Sequence, residues 1–225
     1  MSLTQTFNDP AAVAGYTERA KRQVPGFTDL QRMAQLLLAE RVPDTADILV
    51  LGAGGGLELK LFAEAQKDWR LLGVDPSAGM LDLARSTLGP LQSHAELVEG
   101  TIDAAPLGPF DGAACLLTLH FLPRDERLRT LREVRRRLKP GAPFVVAHHS
   151  YPKGEQGRRW LSRFAAFAVL SGVEAKQAAA MPAALEEHLP ALSPQEDETL
   201  LREAGFSDVA LFYAALTFRG WVARA

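Results

Sequence analysis

Short apolar runs alternate with amphipathic stretches along most of this chain, and that rhythm predicts the elements. Residues 48–51, 71–75, 95–98, 112–121 and 143–148 read as buried strands, each short enough and apolar enough for a sheet interior. Helical periodicity fills the gaps. It begins directly behind the first strand at Leu59, Leu61, Phe62 and Ala63, returns over 77–88, and returns again over 124–138 before stopping at Lys139-Pro140-Gly141. Strands alternating with helices predict a parallel sheet. Two helical patterns precede the first strand. Residues 10–22 carry Val13, Ala14, Tyr16 and Ala20 and break at Val24-Pro25-Gly26, and residues 29–40 place Leu30, Met33, Leu36 and Leu37 on one face.

Beyond Ser150 the rhythm changes. Residues 157–172 form a helix rich in large apolar groups (Trp160, Leu161, Phe164, Phe167), which is either core or the wall of a pocket, core being the simpler expectation. A mixed segment follows, with Met181-Pro182 and Leu189-Pro190. Ser193-Pro194-Gln195-Glu196 is a capping start for a helix that ends at Ala204-Gly205, and strands at 209–214 and 216–222 close the chain. The expectation is one domain over 1–225. Within it, 1–46 form an N-terminal helical lid, 47–150 a cofactor-binding core, 151–192 a helical insertion, and 193–225 a C-terminal helix and β-hairpin. The N-terminal helices either cover the crevice or only shield the sheet face.

The organising stretch is Leu51-Gly52-Ala53-Gly54-Gly55-Gly56, where the first strand empties into glycines and a helix starts at once. Glycine permits tight turning and close approach to a ligand, and the helix start offers unpaired N–H groups. In an open α/β sheet that is the ligand crevice. The second strand ends in Asp75, at the spacing where nucleotide-binding α/β folds place an acid on ribose hydroxyls. Alternatively, Asp75-Pro76-Ser77 caps the following helix. The dinucleotide fingerprint asks for a third glycine at 57, and the chain has Leu57, which disfavours a nicotinamide oxidoreductase.

The G-x-G-x-G pattern at 52–56 resembles the first motif of class I S-adenosylmethionine (SAM)-dependent methyltransferases. Val74-Asp75-Pro76-Ser77 and Met80 resemble their second. The resemblance implies a Rossmann-like, doubly wound, mostly parallel seven-stranded sheet with an antiparallel last strand. It also implies SAM as cofactor, with S-adenosylhomocysteine as product. Gly52, Ala53, Gly54 and Gly56 would pack against the methionine and ribose, Asp75 and Pro76 would sit at the ribose, and Met80 would flank the adenine. Thr101 and Ile102 would lie at the adenine edge, Leu117 and Thr118 along the methionine, and Tyr16 and Arg22 would reach the carboxylate from the lid. Two positions depart from the family. Val50 stands where an acid is usual, and Thr101 replaces the adenine-side acid. These departures keep a non-catalytic SAM-binding protein open as an alternative.

Val24-Pro25-Gly26-Phe27, Leu117-Thr118-Leu119-His120-Phe121-Leu122, Leu138-Lys139-Pro140-Gly141 and Ala204-Gly205-Phe206 together look like the carboxy-SAM synthase branch, enzymes related to wobble-uridine tRNA modification. That branch holds the extra carboxylate of its cofactor with an arginine in the C-terminal insertion. Here the position falls near Pro182, and no arginine lies between Arg163 and Arg202. The expectation is therefore a relative using ordinary SAM, with the synthase activity as the alternative.

His120, His148 and His149 lie at or just past strand C-termini and are candidate bases, needed only if an acceptor arrives protonated. Adjacent strand residues point to opposite faces, so at most one of His148 and His149 faces the pocket. No third ligand accompanies them, so no metal is expected.

Composition narrows the partners. The 225 residues are 47% hydrophobic and 23% charged with net charge −2, a profile for a globular protein and not for a polyanion binder. The arginines 127, 129, 132, 135, 136 and 137 share their helix with acids and an apolar stripe (Leu128, Leu131, Val134, Leu138), which predicts a solvated outer face. There is no Asn/Asp-Pro-Pro-Tyr element and no aromatic-plus-basic face for RNA. A small-molecule acceptor is expected, without nucleic acid or membrane, in the cytoplasm, with a homodimer left open. Cys115, the one cysteine, sits in an apolar run and reads as core.

Overall fold

The protein is described by a computed structural model that covers residue 13 and residues 15–225. The expected helix over 10–22 falls partly outside these residues, and its described part is α1 (Tyr16–Gln23). α2 (Phe27–Ala39) follows and leads into β1 (Asp47–Leu51). The alternation then runs α3 (Leu57–Ala65), β2 (Arg70–Asp75), α4 (Ala78–Leu88), β3 (Ala95–Glu99), β4 (Gly112–Leu116), α5 (Arg124–Arg137) and β5 (Pro143–His149). Two helices, α6 (Gly154–Leu170) and α7 (Ala175–His188), interrupt it before α8 (Pro194–Glu203), β6 (Ser207–Ala215) and β7 (Phe218–Arg224).

All seven strands form one sheet in the order β3-β2-β1-β4-β5-β7-β6. β1 to β5 pair in parallel, and β7 runs antiparallel between β5 and β6. The chain works outward from β1 to β3, then returns to β4 beside β1. Crossovers leave opposite faces of the sheet on the two sides of that reversal, so the loops after β1 and β4 part and open a crevice. Core clusters pack both faces. Leu49, Phe144 and Trp221 anchor one, and Ile48, Val50, Phe62 and Phe164 the other. Val50 and Cys115 are fully buried among apolar neighbours.

Several expectations need correction. The fourth strand stops at Leu116, not 121: the Leu117 N–H makes the last ladder bond to Ala147 O, and its φ of 59° then turns the chain away from β5. A short 3-10 turn over Leu119–Phe121 follows. The mixed segment after Gly172 is the helix α7, which carries Pro182 inside it. On α2 the buried face is Phe27, Leu30, Gln31, Ala34 and Leu38, while Leu36 points outward. The α5 arginines do not all face solvent. Arg127 and Arg137 are buried, each held by carbonyl oxygens and a carboxylate. The capping box forms as expected, with Ser193 Oγ accepting from Glu196 N and the Glu196 carboxylate accepting from Ser193 N. Among the described residues no helix is long and apolar enough to cross a membrane.

Candidate active site

The end of β1 is tied to the end of β2. Gly52 N and Ala53 N both donate to Val74 O, at 2.8 and 3.0 Å. This pulls the glycine loop over the second strand and requires φ of 74° at Gly52 and 49° at Gly54. At Gly56 a Cβ would meet the Ala84 backbone at 2.9 Å, so that glycine serves the close packing of α3 on α4 and not the crevice.

Asp75 joins the loop from the β2 side. Its Oδ2 accepts from Gly54 N at 2.9 Å and its Oδ1 from Ser77 N at 2.9 Å. The cap of α4 is Ser77, whose Oγ accepts from Met80 N. Each Asp75 oxygen thus keeps a lone pair beyond its backbone bond. Burial raises the Asp75 pKa, and the two N–H bonds oppose that rise.

Loop and carboxylate open onto a cavity of about 580 Å³. Of the residues expected at the site, Tyr16, Gly52, Gly54, Asp75, Pro76, Met80, Leu117, Thr118, His120 and His149 line it. Six others do not. Ala53 is fully buried beneath the loop, and Gly56 lies in the helix contact already described. Ile102 is in the core, and the exposed Thr101 directs its hydroxyl to Asp103. Arg22 is exposed on α1, where the cavity-facing positions are Tyr16, Arg19, Ala20 and Gln23. That set follows the i, i+3, i+4, i+7 spacing of one helix face and could have pointed to Arg19 and Gln23.

His148 also leaves the cavity. It points to the other face of the sheet, where its Nε2 lies 3.2 Å from Asp197 Oδ1 and its ring packs on Trp221. Asp197 in turn takes Arg127 Nη1 at 2.6 Å. Burial would raise the Asp197 carboxyl, yet His148 and then Arg127 hold it below its usual range. His149 faces the cavity, its ring stacked on Phe218 with centroids 3.9 Å apart. Burial lowers its pKa to about 3, with His148 adding to the effect. His120 is likewise pushed well down, by burial first and then by His149.

The remaining wall comes from distant segments: Val24, Phe121, Leu122, Leu185, Leu189 and Phe218. Nothing local in the sequence marks Leu185 or Phe218 for this place, since α7 and β7 reach it only through the tertiary fold. Trp160, Phe164 and Phe167 are not part of the wall; Phe164 is core. Arg19 is the only arginine or lysine in the cavity wall among the described residues. No group of three metal-ligating side chains occurs among them either.

The methyltransferase domain model matches residues 48–141, which span the glycine loop, Asp75 and the β4 loop. The chain has the class I methyltransferase fold, and its residues 48–141 match the methyltransferase domain family. Carboxy-S-adenosyl-L-methionine synthase of Chromohalobacter salexigens is 29% identical over 220 residues, covering 96% of this chain and 82% of that one. Human N-acetylserotonin methyltransferase in complex with SAM superimposes with a TM-score of 0.67 at 16% identity, over 99% of this chain and 58% of that one. The chain thus spans a little under three fifths of that human protein. A SAM-dependent methyltransferase from Aquifex aeolicus gives a TM-score of 0.63 at 18% identity, covering 96% and 98% of the two chains.

The residues present fit the cofactor. A glycine cradle that side chains would fill faces a carboxylate with spare lone pairs, inside a cavity large enough for a nucleoside and a second, smaller molecule.

Proposed function

We propose that this protein methylates a small molecule bound beside SAM in the cavity between α1, the glycine loop, the β4 loop and α7. The observation that carries the reading is the Asp75–Gly54 bond. It orients a carboxylate and a bare backbone turn toward one space. When bound, the cofactor supplies an electrophilic methyl group on a sulfonium. Asp75 holds the ribose hydroxyls, Gly52 and Gly54 let the backbone approach, and Met80 flanks the adenine. Leu117 and Thr118 follow the methionine chain, with Tyr16 and Arg19 on the lid side. Val24, Leu122, Leu185, Leu189 and Phe218 form an apolar chamber for the acceptor and keep water from it. The chamber's size and its single arginine favour a small molecule over a nucleic acid, whose backbone would need several cations.

Calorimetric titration with S-adenosylhomocysteine, SAM and NAD, on wild type and Asp75→Ala, tests this. Micromolar binding of the adenosyl ligands, lost in the variant, is expected. Binding of NAD alone overturns the reading.

A second reading is carboxy-SAM synthesis, supported by relatives of that name over 96% of the chain. Against it, the cavity's arginine comes from α1 and none comes from α7 or its flanks. Mass spectrometry of SAM recovered from the protein separates the two readings, since only the synthase adds a carboxyl group to it.

A further inference from the structure

The two histidines of the cavity have their proton positions set by the groups behind them. His120 is 5% exposed and His149 7%. The backbone N–H of His149 donates to His120 Nδ1 at 3.1 Å. A ring nitrogen that accepts a hydrogen bond carries no proton, so neutral His120 keeps its single proton on Nε2.

His149 Nδ1 lies 3.0 Å from Thr217 Oγ1. Thr217 is fully buried, and among the described residues its hydroxyl has no other hydrogen-bond partner. If Nδ1–H donated to Oγ1, the hydroxyl proton would be buried and unpaired, at a cost of about 1–3 kcal/mol. With the hydroxyl donating to Nδ1, both groups are satisfied. The hydrogen-bond network therefore assigns the proton of His149 to Nε2 as well. Both nitrogens of His148 are sealed and lack a well-directed partner, whereas the Nε2 atoms of His120 and His149 are not sealed and belong to rings that line the cavity. Their ring centroids are 5.1 Å apart, so two N–H donors can converge on one group.

We propose that His120 and His149 are a pair of neutral Nε2–H donors that hold an oxyanion of the acceptor. The acceptor is then an ionised carboxylic acid or acidic phenol on an apolar body, bound already without its proton, and neither histidine is a base. That the bound anion is the methyl acceptor rests on the methyltransferase reading; the donor pair rests on the geometry alone. Burial keeps both rings uncharged, with His149 adding to the effect at His120 and His148 at His149. The charged groups around them are Arg127, which acts on His120, and Asp197 beside His148 behind the sheet, Asp75 and Arg19 in the cavity wall, and Arg219, which donates to the carbonyl of the Phe218 stacked on His149. An uncharged donor pair discriminates by hydrogen bonding, and the apolar chamber excludes the water that would compete for the anion.

Histidine-selective 15N NMR of the full chain reads tautomer and titration directly, with His120→Gln and His149→Gln assigning the signals. Both rings are expected as Nε2–H tautomers that do not titrate between about pH 5 and 9. An Nδ1–H tautomer in either ring, or a midpoint inside that window, overturns the donor pair. A second arm uses 4-nitrophenol and benzoate as probes with S-adenosylhomocysteine bound. The absorbance of bound 4-nitrophenol should show its acidity raised about tenfold or more. His149→Gln, whose amide N–H can replace Nε2–H but cannot act as a base, should keep most of that preference, and His149→Leu should lose it. Displacement by benzoate identifies a carboxylate as an accepted source of the oxyanion, and no displacement restricts it to phenolates. If S-adenosylhomocysteine binds but neither probe does, the oxyanion assignment falls. If S-adenosylhomocysteine does not bind, the methyltransferase reading falls while the NMR arm still decides the donor pair.

Discussion

Gly52 and Thr118 meet with no room for a side-chain carbon between them: a Cβ on Gly52 would stand 2.0 Å from Thr118 Oγ1. The contact joins the loops after β1 and β4, the two strands flanking the reversal of the sheet. It makes the floor of the crevice one rigid piece built from opposite directions of the chain. Thr118 is fixed in turn by donating its hydroxyl to Leu116 O at 3.1 Å.

Gly52→Ala should therefore cost more than its backbone conformation alone. Gly26 serves as the internal control, since it has a similar φ of 65° but nothing within 4 Å of an added Cβ. Gly26→Ala should lose about 1–2 kcal/mol from the left-handed conformation. Gly52→Ala should add about 1–3 kcal/mol of overpacking to a similar loss. Urea midpoints at unchanged slope measure both. Titration with S-adenosylhomocysteine should show weakened binding for Gly52→Ala only. Equal losses of stability in the two variants would mean the Thr118 contact yields easily.

Much of this architecture is legible from the chain because local rules and tertiary packing agree there. The β1–Gly52 turn, Asp75 at a strand end and the Ser193–Glu196 box all obey short-range constraints. The failures are places where distant contacts decide. Leu117 takes a positive φ directly after its N–H closes the β4–β5 ladder on Ala147 O, and no pattern around residue 117 foretells that turn. Arg127 reads as solvated until α8 brings Asp197 to it. Leu36 fits an apolar stripe by its i, i+3 spacing from Met33 yet lies nearly opposite the face that α2 buries. The apolar side of the cavity is the least legible part. Leu185, Leu189 and Phe218 reach one wall from α7, the segment behind it and β7.

The buried pair Arg127–Asp197 should behave asymmetrically on mutation. Its side chains are 1% and 2% exposed, with Nη1 and Oδ1 2.6 Å apart. Asp197→Ala leaves a guanidinium buried without its anion and should cost about 3–5 kcal/mol. The double variant Arg127→Leu/Asp197→Leu should recover part of that loss. Full recovery is not expected, because Arg127 also donates to Leu122 O and Pro190 O. Denaturant unfolding of the four-member cycle measures the coupling. Additive losses would show that the two charges do not depend on each other.

Glu58 gives stability a downward slope with pH. It is 7% exposed at the start of α3, and burial, with Asp75 adding, pushes its pKa from 4.5 up to about 8. The native state then holds a proton that the unfolded chain has released. Its contribution is complete below pH 4.5 and is lost as pH rises through 8. The slope is about 1.4 kcal/mol per pH unit within that window. Glu58→Gln, neutral at every pH, should be more stable than wild type at pH 8 and should lose that slope. Thermal unfolding at a series of pH values tests it. Matching slopes in the two proteins would show Glu58 ionised in the native state.

His149 works in the opposite direction. Its native pKa is lowered from 6.5 to about 3, so below pH 6.5 the unfolded chain takes up a proton that the native ring refuses. More protons on the unfolded state means stability rises with pH. The penalty is absent well above 6.5 and grows by about 1.4 kcal/mol for each unit the pH falls below it, until the native ring itself protonates. His149→Gln removes the titration and keeps a polar side chain of similar length. Loss of the ring stacked on Phe218 offsets the variant by an amount that does not change with pH. The difference between the proteins should therefore move in favour of the variant by about 2 kcal/mol between pH 7 and 5, a change readable from urea midpoints. A difference that stays constant over that range would mean the ring takes its proton in the folded state, and a protonated His149 could not be the neutral N–H donor inferred above.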